Sequence, residues 1–181
     1  MTTNRVLYLL ACAARPALTL GPVIDEAKAA GWDVCLGLTP AAERWVSDQL
    51  PELEKLTGKP VRSRFRFPSE PDVWPHADVV LVAPATFNTI NEWALGIASK
   101  FVVGYAVEAR GKGVPVVTMP CVNEAYARHT RFLSSIETLR DMGIRVLHGD
   151  TGPAPHEPGQ GPPPPYPWHL ALAALPKPTP A

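Results

Sequence analysis

Four near-continuous apolar runs recur along the chain: Arg5 to Ala11, Trp32 to Leu38, Asp78 to Ala83 and Val114 to Met119. A strand reads this way when both faces of its sheet are covered, because neither face then needs polar residues. Segments with helical signals separate the runs. Strands that alternate with helices form a parallel sheet, since each return must cross over the sheet. The expected fold is therefore α/β, a Rossmann-like doubly wound parallel sheet in a three-layer sandwich.

The intervening segments fill in that scheme. Leu18 to Gly31 reads as a helix with Gly31 as its stop, and Pro22 belongs in its first turn. Thr39-Pro40 pairs an N-cap with proline at N1 and opens a helix through Leu50. Leu53 to Pro60 reads as a polar connector. Val61 to Phe67 alternates Arg62, Arg64 and Arg66 with other residues, as a half-exposed strand would. Pro68 to His76 is a proline-broken loop or short helix. Helices are expected over Asn88 to Ala98, onward to Arg110, and from Ala125 to Met142. Ile144 to His148 is the last strand. Asp150 to Pro165 is too rich in Pro and Gly for regular structure and reads as a loop or flap. Tyr166 to Leu175 is a short closing helix. Residues 1–150 thus form one domain, and 151–181 a Pro-rich flap and tail.

Lys plus Arg and Asp plus Glu both number 17, so the formal charge is zero. A neutral balance argues against nucleic-acid and anionic-membrane partners, which need a basic surface. Val6 to Cys12 imitates a short secretory core, but only Arg5 precedes it as a cation and the run is brief, so a buried strand is expected. Cys12, Cys35 and Cys121 show no CxxC spacing, which argues against structural zinc, and no metal site is expected. Such sparse, odd-numbered cysteines suit a reducing cytoplasm.

Open parallel sheets bind ligands beyond the carboxyl ends of their strands. Ala13, Ala14 and Arg15 follow the first run. Small residues there let a ligand approach the backbone, and Arg15 can pair with a phosphate or face solvent. No GxGxxG is present. Thr39 follows the second run, able to cap a helix and to face an anion. After the third come Pro84-Ala85-Thr86-Phe87-Asn88-Thr89, which set three hydrogen-bonding side chains at a helix start. A helix N-terminus with hydroxyls and an amide makes a neutral phosphate cage. After the fourth comes Met119-Pro120-Cys121-Val122-Asn123, where Asn123 can cap the next helix or hold a carboxylate or flavin edge.

Taken in order, Thr39-Pro40-Ala41-Ala42, Pro84 to Ile90 and Pro120 to Asn123 resemble the homo-oligomeric flavin-containing cysteine decarboxylases. That family includes phosphopantothenoylcysteine decarboxylases and lantibiotic-type peptidyl-cysteine decarboxylases. The resemblance implies FMN as cofactor, wrapped by Pro84, Ala85, Thr86, Asn88 and Thr89, with Thr for the family's Ser and Phe87 for its Ala. It implies Thr39 at the phosphate, and Ala13, Ala14, Arg15 and Met119 against the cofactor. It also implies trimers or multiples of them, and a small-molecule or peptide carboxylate substrate.

The implied chemistry is flavin-dependent oxidation of a cysteine-type thiol followed by loss of the carboxylate. The chain departs from the family where substrate is handled. Asn123 stands in the substrate motif, but Val122, Tyr126 and Ala127 replace Met, Met and Trp. Glu70 occupies the place of the family's active-site His, with His76 nearer the strand. The base would then be Glu70, His76 or water. Other readings of the same scaffold are an FMN-binding protein without the reaction, in a redox or accessory role, and different flavin chemistry such as prenyl transfer or reduction.

Overall fold

Side chains of β1 (Arg5–Ala11) divide between two cores: Leu7, Leu9 and Ala11 face one side of the sheet, and Val6, Tyr8 and Leu10 the other. Both sets are buried, which explains why the run shows no polar alternation. The computed structural model describes residues 5–159 and 163–176. β1 is flanked by β2 (Trp32–Leu38) and β3 (Val79–Ala85), followed by β4 (Val116–Pro120) and β5 (Arg145–Val146). The five strands lie in the order β2-β1-β3-β4-β5, all parallel. The expected doubly wound sandwich is what forms.

α1 (Leu20–Ala29) follows a 3-10 turn over Arg15–Thr19 and carries Pro22 in its first turn. It packs Leu20, Val23 and Ile24 on the first core. α2 (Pro40–Trp45) and α3 (Leu50–Thr57) lie on that face too, where Ala42 and Leu53 are buried. α4 (Phe87–Ala94), α5 (Phe101–Gly111) and α7 (Thr130–Asp141) cover the other, and the short α6 (Glu124–Ala127) precedes α7. α8 (Trp168–Ala173) returns to the first core through Ala171, Ala174 and Leu175. No helix among the described residues is long and apolar enough to cross a membrane.

Several local expectations are corrected. The helix expected through Leu50 ends at Trp45, and Leu53 to Pro60 is largely helix, not connector. Leu53 and Thr57, four apart, bury one face of α3 beneath its exposed Glu and Lys residues, and Gly58 ends it in the left-handed conformation at φ 69°. Val61 to Phe67 is not a strand. Only Arg62 pairs with the sheet edge, opposite Gly37. Its guanidinium then turns inward, 5.0–5.3 Å from the ring centres of Trp74, Phe101 and Tyr105, and donates to Tyr105 Oη at 2.8 Å. Cation–π contacts thus absorb one of the three arginines that look like an exposed alternation.

The long helix expected from Ala125 breaks at His129, whose Nδ1 accepts the Arg131 N–H at 3.1 Å and restarts the helix as α7. No Gly or Pro announces that break. The described residues of Asp150 to Pro165 hold little regular structure beyond a 3-10 turn over Gly149–Thr151 and a bridge at His156. Residues 160–162 of that segment lie outside the described residues.

Candidate functional site

Backbone hydrogen bonds lace the carboxyl ends of four strands together. Thr39 N–H donates to Ala11 C=O, Cys12 N–H to Pro84 C=O, and Cys121 N–H to Ala85 C=O, at 3.0, 3.0 and 2.8 Å. α1 leaves β1 toward one face of the sheet and α4 leaves β3 toward the other. The crevice between these neighbouring strands is the switch point of the sheet.

A cavity of about 870 Å³ opens there. It lies within the ~300–1,000 Å³ usual for small-ligand and cofactor sites. Ala13, Ala14 and Arg15 form one wall, Thr86 and Asn88 another, and Asn123 a third. The structure thus brings together six residues chosen from sequence. Thr86 caps α4: its Oγ1 accepts the Thr89 N–H at 3.4 Å and contacts Thr89 Oγ1 at 3.0 Å. Asn88 stands exposed on the first turn, where helix amides favour an anion.

The other cofactor candidates back this wall without lining it. Pro84, Ala85, Thr89 and Met119 are buried beneath it. Thr39 is buried as well, its Oγ1 accepting from Ala42 N–H at 3.2 Å as the cap of α2.

Glu70 and His76 are not brought to the cavity. Glu70 forms a two-oxygen pair with Arg64 at 2.6 and 3.0 Å and accepts the Phe67 N–H at 2.8 Å. Those bonds hold its carboxyl down at about 2, the setting of a fixed anion and a poor base. His76 lines a separate hollow beside Tyr8, Asp72 and Tyr105. Glu70 lies instead on the strap before β3 with Arg64, and His76 on the α5 side of the sheet near Tyr105.

Sequence reasoning missed an aromatic and histidine wall. Phe87 lies 4.8 Å from Tyr126, 5.5 Å from His129 and 5.8 Å from Phe132 between ring centres. His148 meets Phe132 edge-on at 5.3 Å. His148, His156, Tyr126 and Tyr166 all line the cavity. Phe87 and Tyr126 stood out in the sequence only as departures from the family pattern, and His156 and Tyr166 only as single residues of a proline-rich tail.

Electrostatically the wall is one-sided. Arg15 is its fixed cation, and no carboxylate lines it among the described residues. Burial pushes the Cys121 thiol up to about 11 and the Tyr166 phenol well above its usual range, the latter helped by nearby Cys121 and Cys12. Cys12, beneath the floor, is also raised by burial, against hydrogen bonds from Thr89 and Thr86. Burial first, and Arg140 second, lower the pKa of His148 and favour its neutral ring. At neutral pH the cavity therefore presents the protonated Cys121 thiol and Tyr166 phenol and an uncompensated positive charge.

Comparison with known proteins agrees with this architecture. The model of the family described as Flavoprotein matches residues 2–162. The coenzyme A biosynthesis bifunctional protein CoaBC of Escherichia coli (strain K12) is 27% identical over 128 residues, covering 67% of this chain and 30% of that protein. The chain thus spans less than a third of the length of that relative. Among solved structures, the FMN-dependent cysteine decarboxylase SpaF superposes with a TM-score of 0.70 at 21% identity, over 93% of this chain and 95% of the other. TvaF, an FMN-dependent cysteine decarboxylase from thioviridamide biosynthesis, gives 0.70 at 22%, over 80% and 90%. These two likenesses are of fold. With a family match running from before β1 to beyond β5, over a doubly wound sheet whose switch point opens into a cofactor-sized crevice, this chain belongs to the Flavoprotein family.

Proposed function

We propose that the chain binds FMN in the switch-point cavity and decarboxylates a cysteine-type thiol carboxylate there. The observation that carries this reading is the charge of the wall: one fixed cation, the start of α4, and no carboxylate among the described residues. Such a wall suits a ligand bearing phosphate and a substrate bearing carboxylate. The residues fit FMN. Arg15 and the first turn of α4 would take its phosphate, Asn88 would hydrogen-bond it, and Ala13 and Ala14 leave room for its approach. Thr86 and Thr89 hold that turn in place, with Thr39, Pro84, Ala85 and Met119 behind.

Bound FMN supplies the electron acceptance that the side chains lack. Asn123, on the cavity wall, would bind the substrate carboxylate. With ligand bound, Phe87, Tyr126 and Tyr166 on the proline- and aromatic-rich side would shield it from water. SpaF and TvaF, described as FMN-dependent cysteine decarboxylases, support the same assignment. A homo-oligomer, as a trimer or a multiple of one, and the reducing cytoplasm complete the reading. The three cysteines are unpaired, as that compartment requires.

A second reading, FMN binding without decarboxylation, is favoured by one observation: both bases suggested by sequence position lie outside this protomer's cavity. An absorption spectrum of the purified protein, with the released chromophore identified by mass, tests the cofactor. Oxidised-flavin bands and the mass of FMN are expected, and a colourless protein that takes up no added FMN refutes both readings. Carbon dioxide release from a peptide ending in cysteine separates them.

A further inference from the structure

Six ionisable side chains line the cavity among the described residues: Arg15, Cys121, Tyr126, His148, His156 and Tyr166. Of these side-chain classes, imidazole is the one whose ordinary charge change falls between about pH 5 and 8. Proton exchange with a ligand at neutral pH therefore falls to His148 or His156. His148 is packed edge-on to Phe132, and its surroundings resist a charge on the ring.

His156 is placed differently. It forms a parallel bridge with Asn123, and its carbonyl accepts the Glu124 N–H at 3.0 Å. Residues paired in register across a bridge present their side chains to the same side. Asn123 Oδ1 accepts the Tyr126 N–H at 3.0 Å, which leaves the Asn123 amide N–H groups without a partner among the described residues. Pro153, Pro155 and Pro158 stiffen the segment that carries the imidazole. A free amide donor and an imidazole thus stand side by side on the cavity wall.

We propose that His156, which stands beside the Asn123 already assigned to the carboxylate, is the residue that exchanges a proton with the substrate thiol. The thiol S–H bond breaks, the proton passes to the unprotonated ring nitrogen of His156, and sulfur keeps the electron pair. This inference rests on the decarboxylase reading for its substrate, but its geometry does not depend on turnover.

His156→Gln, measured with the full FMN-loaded chain and a cysteine-terminated peptide, is expected to lower turnover ~100-fold or more, with partial recovery on adding free imidazole. A second readout uses no turnover. The His156 ring resonance, identified by its loss in His156→Gln, is followed by NMR as 3-mercaptopropionate is added to the FMN-loaded protein. The resonance is expected to move. A resonance that stays in place, or a His156→Gln variant within threefold of wild type while His148→Gln fails, overturns the proposal. If the wild type converts no thiol carboxylate, the decarboxylase reading falls, and the resonance alone decides whether His156 meets the thiol.

Discussion

The hydroxyl of Tyr166 donates to the main-chain carbonyl of Met119 at 2.5 Å, joining the tail to the end of β4 across 47 residues of sequence. The side chain is half-buried, and its ring lies edge-on to Trp168 at 4.9 Å. This bond fixes the tail where it lines the cavity. Tyr166→Phe keeps the ring and removes the donor, leaving a buried carbonyl short of a partner. The expected loss is about 1 kcal/mol. It would be read as a lower urea midpoint with an unchanged slope, and an unchanged midpoint would show that the carbonyl has another donor.

Asn88 is exposed on the first turn of α4, on the cavity wall. Asn88→Ala removes one hydrogen-bonding group without disturbing a buried contact. FMN affinity is expected to fall about tenfold, or ~1.4 kcal/mol, with little change in thermal stability of the cofactor-free protein. Fluorescence quenching titration measures it. Equal affinity in the variant would move the phosphate away from this turn.

Gly37 in β2 has no room for a side chain. An added Cβ would stand 2.5 Å from Leu10 Cδ2, 2.9 Å from Phe101 Cε1 and 3.3 Å from Trp74 Cη2. Leu10 can rotate, but the two rings are held around Arg62. Gly37→Ala is expected to destabilise by ~1–3 kcal/mol. Chemical denaturation checks this, and near-neutral stability would show that the aromatic box yields.

His148 makes stability depend on pH in a definite direction. Its folded pKa lies below the ordinary 6.5, owing to burial and then Arg140. Between the folded value and 6.5 the unfolded chain binds the proton more readily, so stability falls as pH drops through that window. Above 6.5 both states are neutral and the effect vanishes. Melting temperatures from about pH 7 to pH 5 should fall more steeply for wild type than for His148→Gln. Parallel curves would contradict the assignment.

The sheet was legible because its signal is long and redundant. Each strand is a run of apolar residues, and each loop after a strand carries its own cap or proline. The small residues after β1 and the hydroxyl–amide stretch after β3 pointed to the cavity for the same reason: the positions beyond strand ends are few. What stayed hidden depends on contacts distant in sequence. Arg62 looked like part of an exposed alternation because its partners, Trp74, Phe101 and Tyr105, lie on other elements. His156 looked like one residue of a featureless tail until the bridge set it beside Asn123. Glu70 and His76 were chosen by position counted back from β3, and neither lines the cavity of this chain.

Net neutrality of the whole chain conceals a polarised interior surface. Seventeen acids balance seventeen bases over the molecule, yet the cavity wall holds Arg15 with no acid opposite it among the described residues. At physiological ionic strength the screening length is about 8 Å, shorter than a small domain. Outside the crevice mouth the protein should therefore behave as an uncharged particle, indifferent to ion-exchange media near neutral pH. At the mouth it offers anions a local attraction that added salt weakens. An anionic ligand would feel that pull only on arrival, so the field selects what stays in the crevice more than what comes near.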